Sequence, residues 1–357
     1  MEQMIRAFQL EGNVISHKRF GSGHINQTYL LHTDSQHDYI LQKVNHQIFK
    51  ETEKLMENVT AVTEYLAQVE KDPRRVLRFV KTHDGKSFCR DDEGGYWRVC
   101  EYVSGSLSLD MAESAEDFYQ SAVAFGNFQM QLRDFPAETL HETIAHFHDT
   151  PARFANFRRA IEKDVCGRLE SVKAEVDFAL AREEEAGCMM RMLAKGELPL
   201  RVTHNDTKLN NVLLDAQTRK ALCVVDLDTV MPGLAANDFG DAIRFGASTA
   251  AEDEKDLDKV WMSLDMYEAF ARGYLEACGK SLTEKEIETL PMGAKLMTLE
   301  CGVRFLTDYL EGDTYFGIQY EGQNLDRCRT QFKLVADMET KWEKMNEIIA
   351  ALMEKMA

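Results

Sequence analysis

The stretch THNDTKLNNVLLD, residues 203–215, packs one histidine, two aspartates and three asparagines into thirteen positions and then turns apolar. The spacing within it carries chemistry. An aspartate at the start of such a loop, here Asp206, can accept the proton of an attacking hydroxyl. An asparagine five residues on, Asn211, where a strand begins, can hold a magnesium ion bridging phosphates. The segments NVLL and ALCVV, separated by the turn DAQTRK, read as a β-hairpin, and Asp226 follows its second strand twenty residues after Asp206. Loop and carboxylate therefore meet at the outer ends of paired strands. The alternative is an asparagine-rich turn whose side chains satisfy backbone groups, but the paired position of Asp226 weighs against it. For His204 the expected task is to hold the loop by hydrogen bonds rather than to titrate.

Working outward, the chain before this stretch changes character once. ISHKRF, TYLLHT and YILQKVN, within residues 15–45, are rich in β-branched and aromatic residues and predict a three-stranded meander. From Glu51 to Glu70 the period becomes helical, with Leu55, Met56, Val59, Val62, Tyr65, Leu66 and Val69 on one face. VLRFVKT (76–82) and YWRVCEYV (96–103) return to strand composition, with turn signals between them. A capping pair, Ser114 and Asp117, opens a long helix, residues 165–196 read as charged helix, and beyond Asp253 the chain reads as almost wholly helical. Trp342 falls in an amphipathic C-terminal helix and reads as core. The switch near 103–106 predicts two lobes, 1–103 and 104–357.

Composition restricts the partners. Of 357 residues, 44% are hydrophobic and 29% charged, enough for a sizeable core. The formal charge of −18, with no basic cluster, argues against a nucleic-acid partner. Eight scattered cysteines without a C-x-x-C pair read as reduced thiols. No apolar run reaches membrane-spanning or signal length, so no membrane partner is expected and the cytoplasm is the expected compartment.

His204, Asp206 and Asn211 match H-x-D-x-x-x-x-N, the catalytic-loop spacing of protein kinases and their relatives, and Asp226 stands where those proteins keep a magnesium-binding carboxylate. HNDTKLNN with VVDLDTVMPG and NDFGDAIRFGA resembles the aminoglycoside phosphotransferase and choline kinase superfamily. The later segments GVRFLTDYLEGDTYF and NLDRCRTQ resemble its N-acetylhexosamine 1-kinase branch, with GSGHINQTYL, YILQKVN, WRVCEYVSG and FHDTPARF supporting it earlier.

The resemblance implies an α+β, bilobal protein-kinase-like fold: a small antiparallel sheet with one main helix, then a larger, mostly helical lobe. It implies transfer of the γ-phosphate of ATP, with Mg2+, to the anomeric hydroxyl of N-acetylglucosamine or N-acetylgalactosamine. Asp206 would be the base, with Asn211 and Asp226 on the metal. His24, Arg304 and Tyr315 would contact the sugar, Phe245 would line its pocket, and Glu101, Tyr102 and Val103 would offer backbone groups to adenine. Bland alternatives stand beside these: a turn role for His24, snorkelling or structural pairing for Arg304, packing for Tyr315. Asp238 and Asp241 are expected to brace the catalytic loop, with Asp241 pairing to Arg244.

Two departures from the kinase pattern matter. GSGHIN lacks the third glycine of G-x-G-x-x-G. In YILQKVN, Ile40 and Gln42 share one face, and Leu41 and Lys43 the other. Lys43, with Glu57 as a helix partner, is the candidate phosphate lysine if its face looks into the cleft; if Gln42 does, that lysine is absent. Other readings of the same residues are a kinase for another small alcohol (homoserine, choline, methylthioribose or an aminoglycoside) and a non-catalytic nucleotide-binding scaffold.

Overall fold

The computed structural model describes residues 1–21 and 25–356. After a short N-terminal turn α1 (Glu2–Ile5), strands β1 (Val14–Arg19), β2 (Gln27–Thr33) and β3 (Tyr39–Val44) form the expected antiparallel meander. The sheet continues through β5 (Tyr96–Glu101) to β4 (Cys89–Arg90), in the order β1-β2-β3-β5-β4. Between β3 and β4 runs α2 (Thr52–Val69), which buries Leu55, Met56, Val59, Val62 and Leu66. Val69, assigned to the same apolar face, is 47% exposed because the helix ends there and its last turn projects past the sheet.

The two faces of this sheet are distinct. Leu41 packs with Met4, Phe8, Leu31, Trp97 and Val99 on the outer side, beneath the N-terminal segment. Val44, which shares its face with Gln42, packs instead with Leu55, Val59 and Val62 of α2 and with Leu227 and Val230. The Gln42 face is therefore the inner one.

Residues 76–82 form no continuous strand. Val80 N–H donates to Val99 O at 2.8 Å and Glu101 N–H to Arg78 O at 2.9 Å, with a single bridge between Phe79 and Cys100. The cause is the shared edge: β4 pairs with Trp97 and Tyr96 of β5, so this segment reaches what is left.

The rest is mostly helical, with α3 (Ala115–Gln131), α4 (Thr150–Lys163), α5 (Lys173–Leu180), α6 (Glu183–Ala186) and α7 (Cys188–Ala194) before the central strands. Ser114 Oγ caps α3, accepting from Asp117 N–H at 3.2 Å. Residues 165–196 are helical in pieces, broken between α5 and α6 and at Gly187, where three consecutive glutamates leave no continuous apolar face. The small strands are β6 (Ser106–Ser108), β7 (Arg201–Thr203), β8 (Val212–Asp215), β9 (Ala221–Val224) and β10 (Met231–Gly233). β8 and β9 are the expected hairpin; β6 joins its free side, and β7 pairs with β10. Then follow α8 (Ala235–Gly246), α9 (Leu264–Cys278), α10 (Glu284–Glu288), α11 (Leu290–Glu311), α12 (Gln323–Thr340) and α13 (Trp342–Met356). Trp342 is half-buried against the core, with Lys295 Nζ 5.6 Å from its ring centre. Among the described residues no helix is long and apolar enough to cross a membrane.

Helices α8 and α11 cross at backbone contact. A Cβ on Gly293 would lie 2.1 Å from Ala236 O, and one on Gly240 would lie 2.2 Å from Gly293 O. Because these atoms are backbone, neither helix can yield locally. Gly293→Ala is expected to cost about 2 kcal/mol by overpacking, read as a lower midpoint in chemical denaturation with an unchanged slope; an unaltered midpoint would mean that the crossing is loose.

Candidate active site

The 203–211 loop is held from below by α8. Asp238, 1% exposed, accepts His204 N–H and Asn205 N–H, each at 2.8 Å, one on each carboxylate oxygen. Gln129 of α3 bridges Asp238 Oδ2 and Val202 O. Burial pushes the Asp238 carboxyl above its ordinary range, against the pull of His204 and these donors. Asp241, one turn on, accepts Thr207 N–H at 2.9 Å and pairs with Arg244, whose other arm reaches Glu252. Asn205 adopts a left-handed φ of 64°, which asparagine tolerates. Its Nδ2 donates to Thr229 O while Thr229 Oγ1 donates to His204 O, so the two loops are tied reciprocally. The His204 ring is wholly buried between Phe125 and Phe128, with Nε2 2.9 Å from Val225 O.

These ties bring Asp206, Asn211 and Asp226 into one group. Asn211 Nδ2 donates to Asp206 O at 2.8 Å and to Asp206 Oδ2 at 3.0 Å, which leaves its Oδ1 without a donor among the described residues. Val225 N–H donates to Asn211 O at 2.9 Å, closing the strand ends and setting Asp226 beside the loop in a left-handed conformation, φ 58°. Asp206 keeps one oxygen on Lys208 Nζ at 3.1 Å. That carboxylate raises the Lys208 pKa. Asp226 keeps a face open to solvent although protein atoms crowd its other sides. Burial, then the Asp228 and Asp206 carboxylates, push it up to about 7. An orphaned amide oxygen and a carboxylate starved of positive charge suit a divalent cation. Among the described residues no cluster of three or more His, Cys, Asp or Glu side chains makes a complete metal site, so phosphate oxygens would have to finish the shell.

In the N-terminal sheet the structure settles which residue of β3 faces inward. Gln42 accepts from Arg98 Nε at 2.9 Å, and Arg98 is ion-paired with Asp228. Lys43 lies on the outer face, 2.9 Å from Asp91 and over the Trp97 ring, so its expected contact with the nucleotide fails: strand alternation turns it away. Glu57 pairs with His141 instead. In the connecting segment Glu101 N–H and Tyr102 N–H are already used, by Arg78 O and Asp38 O, whereas Val103 N–H has no partner among the described residues. Phe20 meets the Tyr102 ring edge-on at 5.8 Å.

A cleft of about 330 Å³ is lined by Arg153, Arg304, Asp308, Tyr315 and Phe316 among others. Arg304 has no ion-pair partner among the described residues; its guanidinium lies 5.4–6.0 Å from the ring centres of Phe147, Tyr315 and Phe316. Asp308 is spent on the N–H groups of Thr314, Tyr315 and Phe316, which fold the Tyr315 loop. His148 links α11 to the 203–211 loop, with Nδ1 2.9 Å from Glu300 and Nε2 3.4 Å from Asn205 O. Arg304 and Tyr315 are thus brought together. Phe245, on α8, is half-buried and does not line this cleft, and His24 lies outside the described residues.

The sequence matches the phosphotransferase enzyme family, APH, over residues 16–277. The chain belongs to the APH phosphotransferase family. Solved structures share its fold over nearly the whole length. A microcompartment-associated aminopropanol kinase is 17% identical, with 97% of each chain covered and a TM-score of 0.60. The amicoumacin kinase hAmiN, in complex with AMP-PNP and Ca2+, is 15% identical over 92% of this chain and 90% of its own, TM-score 0.60. The choline kinase LicA from Streptococcus pneumoniae is 16% identical over 92% and 94%, TM-score 0.52. Within this APH chain, Arg98, Asp228, Asn26 and Lys208 escaped the sequence reading. The signal that could have found Arg98 is its parity: it is paired directly opposite Gln42 in β5.

Asp238→Asn places an amide where two N–H donors converge. It is expected to cost about 2 kcal/mol, measured by denaturant unfolding, and an unchanged stability would mean that the loop is held elsewhere. Asp226 binds its proton more tightly folded than unfolded, where the carboxyl has its ordinary value. Its contribution to stability is therefore full below about 4 and is lost as pH rises through about 7. Without metal, the melting temperature of Asp226→Asn should overtake that of the wild type between pH 4 and 8; parallel curves would refute the raised pKa.

Proposed function

We propose that this APH-family protein is an ATP- and Mg2+-dependent anomeric kinase that phosphorylates N-acetylglucosamine or N-acetylgalactosamine at O1. The observation that carries the kinase reading is the convergence of Asp206, Asn211 and Asp226 at the ends of β8 and β9 that lie away from their turn. Asp206, open to the cleft on one side, takes the proton of the attacking hydroxyl. Asn211 Oδ1 and Asp226 would hold the metal, which when bound neutralises charge on the phosphates. Val103 N–H is the adenine donor, and residues 1–103 serve the nucleotide while 104–357 carry base and acceptor site. His204 and Asp238 keep the loop in place, so the base is oriented before substrate arrives.

The acceptor cleft favours a neutral polyol over the amines named for its structural neighbours. A quaternary ammonium needs free aromatic faces, and here the guanidinium of Arg304 already occupies the space among Phe147, Tyr315 and Phe316. Arg153 adds a second positive charge; its own pKa is lowered, first by burial and then by Arg304. Such a site repels cationic acceptors and offers fork donors to hydroxyl and carbonyl oxygens, with apolar rings beside them for an acetyl methyl. His24 and Phe245 are retained as sugar contacts on the resemblance alone.

The test is ADP release with Mg2+ and ATP across N-acetylglucosamine, N-acetylgalactosamine, glucose, galactose, homoserine, choline and an aminoglycoside, with phosphorus NMR of the product. Turnover on the N-acetylhexosamines to an anomeric phosphate is expected, and Asp206→Asn should lower kcat by about a hundredfold or more at unchanged melting temperature. Turnover confined to the amines would discard the sugar pocket; full activity in Asp206→Asn would discard the base.

A further inference from the structure

Asp226 and Asp228 stand two residues apart, and both could be read as metal ligands, but their surroundings differ. Asp228 is 3% exposed and both of its oxygens are spent: Oδ1 on Arg98 Nη1, Oδ2 on Asn26 Nδ2 at 2.6 Å. Arg98 is 2% exposed, and its Nε is held by Gln42 Oε1. Each partner leads to another segment around the nucleotide side. Gln42 Nε2 donates to Thr28 Oγ1 at 3.2 Å, and Thr28 O accepts Phe20 N–H at 3.0 Å. Asn26 Oδ1 accepts Asn45 N–H at 2.9 Å, just past β3. Phe20, just past β1, and Asn26, just before β2, therefore both end on one buried ion pair.

Such a pair is a poor source of stability, since desolvating two charges offsets most of their attraction. What it supplies is position: the guanidinium fork fixes direction at both Gln42 and Asp228. Gln42 fills the inward position of β3, and a cation there would face Arg98 across the ladder.

We propose that Arg98 is a positioning residue that, through Asp228, couples the inner face of the N-terminal sheet, at Gln42 and Asn26, to the loop carrying Asp226, so that nucleotide binding and placement of the metal carboxylate occur together. Asp228 is thus the anchor of this coupling and not a metal ligand. The inference rests on the nucleotide and metal roles proposed above for this site.

The test is calorimetric binding of a non-hydrolysable ATP analogue, with and without Mg2+, to the wild type, Arg98→Met, Arg98→Lys, Asp228→Asn and the Arg98→Met/Asp228→Asn double variant. Acceptor KM and hydrogen exchange of the 225–231 amides are measured alongside. Arg98→Met is expected to weaken the magnesium-dependent part of binding by about tenfold, to speed exchange at 225–231 and to leave the acceptor KM within about twofold. Arg98→Lys, which keeps the charge but not the fork, should bind between the two and serves if Arg98→Met does not fold. Asp228→Asn should share the defect, and the double variant should be no worse than the worse single one. Defects that multiply, equal losses for nucleotide and acceptor, or unchanged binding in every variant would overturn the proposal. A wild type that binds no nucleotide would instead overturn the reading of the site on which it rests.

Discussion

One carboxylate underlies the geometry of the whole centre. Asp238 projects from the first turn of α8 and takes the N–H groups of two successive residues, His204 and Asn205, which allows the chain to turn left-handed at Asn205 just before Asp206. Around this point the polar groups are shared out with little left over. His204 reaches across to Val225 O, Asn205 Nδ2 donates to Thr229 O, Thr229 Oγ1 donates to His204 O, and Thr207 returns to Asp241. A buried network of this kind specifies one arrangement because each unmade bond would be costly. Among the groups left incompletely satisfied are Asn211 Oδ1, the Asp226 carboxylate and the buried Asn210 Oδ1.

Charge alternates along a line through the larger lobe: Asp206, Lys208, Asp241, Arg244, Glu252. Each cation stands between carboxylates, so Asp206 is embedded in a balanced array even though the chain as a whole carries −18. The cleft around Arg304 breaks this pattern, since Arg304 is matched by aromatic rings and not by a carboxylate.

Much of this was legible in the sequence, for physical reasons that also explain the gaps. α2 and the β8–β9 hairpin were readable because their periods, 3.6 and 2, report burial directly. The conjunction of Asp206, Asn211 and Asp226 was readable because a hairpin brings its two ends together whatever surrounds it. Residues 76–82 misled because β-rich composition records a pleated, half-buried environment and not a ladder partner, and β4 had taken part of the edge. Lys43 could not be placed because alternation says which residues share a face and not which face is inward; that was fixed by Val44 packing on α2. Arg98 was hidden for the same reason. The engagement of Tyr102 N–H by Asp38 O is a tertiary fact with no local trace.

The backbone contact of α8 with α11 joins two parts that serve different ends. α8 carries Asp238 and Asp241 beneath the 203–211 loop, and α11 carries Arg304 and Asp308 of the cleft. With Gly240 and Gly293 pressed together, the wall of the cleft and the seat of that loop move as one rigid block. Entry and exit of ligands must then be accommodated elsewhere, by the N-terminal sheet and by the loops that carry Phe147 and Tyr315. Changes in those loops can accumulate without disturbing the alignment of Asp206, Asn211 and Asp226.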